Sequence, residues 1–205
     1  MEFWEITEQI LHMSILAEEK RISHVVVMGI GEPLQNYQNL VQALEVIQHH
    51  IGIGARKITV STVGITKAIS QFSKDMPQVN LAISLHAPTD ELRSQIIPPN
   101  KTIGIDSILE SAKNYFKITG REPTFEYILL ADVNDSRHHA VKLGELLKEY
   151  RCNINLIPLN AVEGTGFMSP TARRVNEFEQ VLAKEFNITT NVRRPRGDDV
   201  AAACG

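Results

Sequence analysis

Val25-Val26-Val27-Met28-Gly29-Ile30-Gly31-Glu32-Pro33-Leu34 is an apolar, β-branched run that stops at two glycines, a glutamate and a proline. The run reads as a buried strand. Glycines at its carboxyl end let a ligand approach the backbone, because no Cβ stands in the way. Glu32 adds a carboxylate where open sheets and barrels present ligand sites, and it can accept hydrogen bonds from a cationic amine. An ordinary strand-to-turn junction with a solvated glutamate has the same local pattern.

The same cadence continues along the chain. Ile6, Ile10, Met13 and Ala17 recur at helical spacing over residues 2–20, ahead of a strand at 24–28. A helix over 36–50 follows, with Leu40, Leu44 and Ile47 on one face and Gly52 and Gly54 as stops. Further strands are predicted at 57–61, 80–85, 124–130, 153–157 and 189–192. Helices are predicted at 64–72, 90–96 (a helical turn), 105–117, 140–150 and from Pro170 to about Phe186, with Asn134-Asp135 as a cap and Ile108, Leu109, Ala112 and Phe116 facing the core. Strands alternating with helices imply right-handed βαβ units and a parallel sheet. Periodicity leaves open whether the sheet is doubly wound or a barrel. In either case the residues that close the strands share one rim and line one site.

Composition narrows the class of protein. At 205 residues with 43% hydrophobic content, the chain can bury one sizeable core. A net charge of −3 does not advertise nucleic-acid binding, so any RNA contact must come from a local basic patch. No apolar run reaches the ~18 residues of a membrane span, and Met1-Glu2-Phe3-Trp4-Glu5 does not open a secretory signal. Cys152 and Cys204 are too few for a disulfide framework, and the expected setting is a reducing cytoplasm. Cys152 begins a strand and reads as an inert core thiol.

The predicted rim carries Gly29, Gly31 and Glu32, then Ser61 and Thr62, then Ser84 and His86, then Glu126 or the 131–134 turn, then Asn160. One carboxylate, hydroxyls, an imidazole and an amide suit holding a polar metabolite with an amine and a ribose better than they suit hydrolysis. No histidine pair has a zinc-ligand spacing, so no metal ligand is expected. His49-His50 and His138-His139 read as solvated helix surface, and Arg173-Arg174 as a polar helix face. An aldolase-like barrel is disfavoured, because no lysine ends a strand and no glycine-rich phosphate loop opens a helix.

Five ordered blocks carry a family resemblance: Met28-Gly29-Ile30-Gly31-Glu32-Pro33-Leu34, Ile58-Thr59-Val60-Ser61-Thr62, Ser84-Leu85-His86-Ala87, Ile157-Pro158-Leu159-Asn160, and Arg193-Arg194-Pro195-Arg196-Gly197-Asp198-Asp199 running on through Ala203-Cys204-Gly205. On these the chain closely resembles the RlmN-type radical S-adenosylmethionine methyltransferases, over essentially all 205 residues. The resemblance implies methylation of carbon-2 of an adenine in 23S rRNA and in certain tRNAs. It implies a partial (β/α)6 barrel over 1–205, lacking the first strand and cluster loop, with a helix–strand extension and a tail over 187–205. It assigns Gly31, Glu32, Ser61, Ser84, Leu85, His86 and Asn160 to S-adenosylmethionine, and Cys204 to the methyl-accepting thiol.

In the family one S-adenosylmethionine methylates that sulfur, and a second is cleaved reductively to a 5′-deoxyadenosyl radical that abstracts hydrogen from the new methyl group. The carbon radical adds to the ring, and a second cysteine releases the product by forming a disulfide. A thiol is needed because adenine carbon-2 is electrophilic and ordinary SN2 transfer does not reach it.

The family's 4Fe–4S cluster sits on a CxxxCxxC loop, which this sequence lacks; two cysteines cannot supply three thiolates. The chain therefore reads as the carboxyl-terminal portion of a longer enzyme, inactive alone. Arg193, Arg194 and Arg196 are expected either to meet RNA phosphates or to form a solvated run offset by Asp198 and Asp199. Expected partners are rRNA, tRNA and a reductant such as flavodoxin or ferredoxin, the chain acting as a cytoplasmic monomer. The alternatives are the paralogous enzyme that methylates carbon-8 and confers antibiotic resistance, and a non-catalytic relic that binds S-adenosylmethionine or RNA.

Overall fold

The computed structural model describes residues 1–17, 21–97, 103–160 and 166–193. Six parallel strands form one sheet in strictly sequential order: β1 (Val25–Val27), β2 (Ile58–Thr62), β3 (Asn80–Ser84), β4 (Thr124–Leu129), β5 (Asn153–Pro158) and β6 (Thr189–Val192). A doubly wound sheet reverses direction at a switch point; this one never does. Sequential right-handed crossovers place every connecting helix on the same side, which is the winding of a barrel. β1 and β6 are not paired, so the sheet is an open arc.

The connecting helices are α2 (Tyr37–Val46), α3 (Thr66–Asp75), α4 (Asp90–Ile96), α5 (Ile105–Thr119), α6 (Arg137–Leu147) and α7 (Ala172–Gln180), with α1 (Phe3–Leu16) ahead of β1. α2 runs on through a π-helical turn, Ile47–Ile51, and ends at Gly52 with φ 81, the left-handed stop that its sequence signalled.

Alternation along the strands sorts the two faces of the sheet. Ile58, Val60, Leu81, Ile83, Phe125, Tyr127, Ile154 and Leu156 are buried under the helices in one continuous core. The opposite face carries Thr59, Asn80, Thr124, Asn153, Asn155 and Asn191 and lines an open concavity. The longer helices meet the core with residues three and four apart, such as Ala140, Leu143, Gly144 and Leu147 of α6.

Four local readings are corrected. β1 is an edge strand, not a buried one, because it pairs only with β2, and Val26 is 56% exposed. α1 meets the core through Thr7 and Ile10, while Met13 is exposed. On α5 the inward aromatic is Tyr115 rather than Phe116, and its hydroxyl donates to the Val79 carbonyl at 2.8 Å. Ser136, not Asn134-Asp135, caps α6 by accepting from the His139 N–H at 3.3 Å, which frees the two buried residues for the network described below.

Candidate ligand site at the strand ends

The carboxyl ends of β1 to β5 enclose a cavity of about 410 Å³. Gly31, Glu32, Ser61, Ser84 and His86, read separately from the sequence, all line it. One side of the cavity is polar. The other is apolar, made by Ile128, Ile157, Leu159 and Phe167. A flat ring fits the second side and a zwitterionic or hydroxylated group the first.

Glu32 braces the rim. One carboxylate oxygen accepts from the Leu34 N–H at 3.0 Å and the Thr62 hydroxyl at 2.7 Å; the other accepts from the Val63 N–H at 2.8 Å. A carboxylate offers about four acceptor positions. Two are spent tying the end of β1 to β2 and one caps the turn at Pro33–Asn36, which leaves room for about one ligand donor. Gly31 precedes it with φ 101 and nothing within 4 Å of where a Cβ would stand, so the turn requires the backbone freedom of glycine and the space beside it stays open.

Ser61 is buried and donates to the Glu126 carboxyl at 2.7 Å, across two strands. With its proton committed, the Ser61 oxygen faces the cavity as an acceptor. Burial raises the Glu126 carboxyl above its ordinary range, against the Ser61 hydrogen bond and the charge of Arg193, which lower it.

His86 occupies a left-handed backbone position, φ 61. Its Nδ1 accepts from the Ile128 N–H at 3.1 Å; since a backbone N–H can only donate, the neutral ring carries its proton on Nε2. Burial, with the nearby Arg93 charge, lowers the imidazole to about 4 and keeps it neutral at physiological pH. Asn134, fully buried, holds this corner. Its amide donates to the His86 carbonyl at 2.9 Å and the Ile128 carbonyl at 2.7 Å, and its oxygen accepts from the Leu130 N–H at 2.7 Å.

Leu85 and Asn160 behave differently from the rest of the predicted set. The Leu85 side chain is fully buried in the core, and its part in the site is backbone: its N–H donates to the Glu126 carbonyl at 3.0 Å. Asn160 closes β5 next to Leu159 but is not among the residues that line the cavity. Arg193 sits at the end of β6, where its N–H donates to the Leu156 carbonyl at 2.8 Å and its guanidinium meets the Met28 sulfur at 3.9 Å, bridging the two edges of the arc. Cys204, Arg194 and Arg196 lie outside the described residues.

Arg93 is the functional residue that sequence reasoning missed. Only 1% exposed, it donates to the carbonyls of Leu85 (3.0 Å), Val63 (2.6 Å), Ser84 (2.9 Å) and Ile103 (3.5 Å). One guanidinium thus ties the ends of β2 and β3 to the chain before α5. Burial lowers it to about 10, which leaves it charged at neutral pH.

The remaining titratable groups are structural. Burial pushes the Cys152 thiol up to about 12, in keeping with an inert core cysteine. His49, His50 and His138 are exposed, but His139 is half-buried, with Nδ1 at 2.9 Å from the Ser136 hydroxyl. Arg174 is more than a polar face, since it pairs with Asp132 at 3.0 Å and Asp135 at 2.8 Å. Among the described residues, no three His, Cys, Asp or Glu side chains are grouped to hold a metal ion, and no helix is long and apolar enough to cross a membrane.

No family model matches the chain. A radical SAM methyltransferase from Sphaerobacter thermophilus superposes on it with a TM-score of 0.96 at 39% identity, over 100% of this chain and 61% of that one. The fold is therefore that of this radical SAM methyltransferase. Among curated relatives, a probable dual-specificity RNA methyltransferase RlmN of Geobacillus thermodenitrificans is 44% identical over 100% of this chain and 57% of its own length. Its counterpart in Shouchella clausii is 45% identical over 98% of this chain and 59% of its own. The chain is similar to these RlmN proteins along essentially its whole length, and it spans a little under three fifths of the length of the two relatives.

Proposed function

We propose that the chain is the S-adenosylmethionine-binding, catalytic part of an RNA methyltransferase that modifies carbon-2 of adenine in 23S rRNA and tRNA through a methylated Cys204. The observation that carries this reading is the convergence of Gly31, Glu32, Ser61, Ser84 and His86 on one cavity whose far wall is apolar. The donor set fits the cofactor. The open backbone at Gly31 and the remaining acceptor position of Glu32 suit its ammonium group. The acceptor face of Ser61 and the Nε2–H of His86 suit hydroxyl and carboxylate groups. Ile128, Ile157, Leu159 and Phe167 suit its adenine ring. S-Adenosylmethionine supplies the methyl group and, on reductive cleavage, the radical chemistry of its class.

A three-thiolate iron–sulfur cluster finds no ligand set in this chain, whose two cysteines are Cys152, which is buried, and Cys204, which lies outside the described residues. The chain's own contribution is to hold and orient the cofactor and, in the 187–205 tail, to present the accepting sulfur. rRNA and tRNA as substrates, a flavodoxin- or ferredoxin-type reductant, and a cytoplasmic monomer belong to the same proposal.

The test is a chimera in which this chain replaces the corresponding segment of the Geobacillus thermodenitrificans relative, expressed in a strain without its own enzyme. Mass spectrometry of 23S rRNA is expected to show 2-methyladenosine, abolished by Cys204→Ala. Methylation at carbon-8 would establish the paralogous activity instead. Calorimetric binding of S-adenosylmethionine with no RNA product from the chimera would establish a relic.

A further inference from the structure

The rim cavity does not account for the inner face of the sheet. There a second cavity, of about 780 Å³, lies along the concave side, and Glu126 lines both. Strand register places Ser84 beside Glu126, Glu126 beside Asn155, and Asn155 beside Asn191. Neighbouring strands lie about 4.8 Å apart. A hydroxyl, a carboxyl and two amides therefore form one transverse row that leads out of the rim cavity into the larger one.

The other asparagines of this face are occupied. The Asn80 amide donates to the Arg56 and Ile58 carbonyls, and its oxygen accepts from Arg121; Asn153 donates to Glu122 at 3.4 Å. Asn155 and Asn191 make no side-chain hydrogen bond among the described residues, although Asn155 is half-buried in the cavity wall. An amide kept on a concave surface without a protein partner retains both a donor and an acceptor for a ligand. The row itself contains no cation, so it does not suit a phosphate. It suits a neutral, planar group with donors and acceptors along one edge.

Building on the RNA methyltransferase reading, we propose that Glu126 and Asn155, with Asn191 beyond them, form the specificity row that reads the hydrogen-bonding edge of the target adenine once that base leaves its stack. A carboxamide pairs bidentately with an adenine amino group and the adjacent ring nitrogen, and a neighbouring carboxyl oxygen can accept from the same amino group. Enzymes that act on a base inside RNA extrude it into a pocket lined with such groups. The row abuts the cavity assigned to S-adenosylmethionine, so a base held there stands beside the donor pocket.

The experiment uses the full chain with its rim cavity saturated by S-adenosylhomocysteine, titrated with two fluorescent RNA hairpins. One carries a single adenine in its loop, and the other carries purine, which lacks the amino group, at the same place. The unmodified chain is expected to prefer the adenine hairpin by about tenfold, the scale of one base-edge pairing. Asn155→Leu is expected to bring that preference close to unity, while the near-isosteric Asn155→Asp, which keeps an oxygen that accepts from the amino group, retains it; S-adenosylhomocysteine affinity stays within about twofold in both.

A preference that survives Asn155→Leu overturns the row and leaves the RNA reading standing. A loss of S-adenosylhomocysteine affinity in step with the preference assigns Asn155 to the cofactor site and also overturns the row. If the unmodified chain binds neither hairpin, the RNA reading falls and the row falls with it.

Discussion

The two faces of the sheet are built from the same strands and follow opposite rules. On the helix-covered face, Ile58, Leu81, Phe125 and Ile154 are buried and interchangeable in kind; each contributes by leaving water, and fully burying one side chain of this size is worth about 1.5–3 kcal/mol. On the concave face the residues are hydroxyls, amides and a carboxyl, and several are tied to partners far away in sequence, as Ser61 is to Glu126. One face makes the arc stable. The other lines the cavities, with its polar partners fixed one by one.

The largest expected effect tests that division directly. Phe125→Ala, on the covered face of β4, should cost about 3–5 kcal/mol by lost burial and the cavity left behind. Thr59→Ala, on the concave face of β2, should stay within about 0.5 kcal/mol. Denaturant unfolding measures both. Comparable losses at the two positions would mean that the concave face is part of the core.

The same division governs what the sequence made legible. Apolar alternation and the strand–helix cadence disclosed six strands close to their observed bounds, and strand ends then located Gly31, Glu32, Ser61, Ser84 and His86. These signals are local or periodic. Whether the winding was a barrel or doubly wound was not legible, because strand order is a property of pairing between distant segments. Arg93 was missed for a related reason: its acceptors at 63, 84, 85 and 103 come from three separate stretches. Asn134 looked like a helix cap because capping and loop-bracing use the same side chain. Leu85 sits within a block predicted to bind, and only the fold shows that its side chain points away from the cavity.

A smaller and pH-dependent effect concerns His86. Its folded value, about 4, lies below the ordinary 6.5, so between those pH values the unfolded chain holds a proton that the folded chain lacks. The stabilisation is fully present above about pH 6.5 and is lost as pH falls toward 4, and this one group accounts for about 2–3 kcal/mol of it. His86→Gln keeps an acceptor for the Ile128 N–H and removes the titration. Between pH 7 and pH 4 the variant should lose that much less stability than the unmodified chain in paired unfolding curves. Parallel curves would show that the ring is not held neutral behind the rim.

A loss of stability smaller than those at Phe125 and His86 sharpens the comparison most, because it separates folding from binding at a single residue. Gly31 has φ 101 and open space where a Cβ would be, so Gly31→Ala meets no steric clash and carries only the conformational cost of a left-handed position, about 1–2 kcal/mol. For a chain of this size that is a drop of a few degrees in Tm. Binding should suffer more, since the added methyl stands where the ligand approaches the backbone; a loss of tenfold or greater in S-adenosylmethionine affinity is expected by calorimetry at a temperature where the variant is fully folded. If affinity falls no further than stability does, Gly31 is there for the turn alone, and the glycines after β1 belong with the covered face, as part of what makes the arc fold.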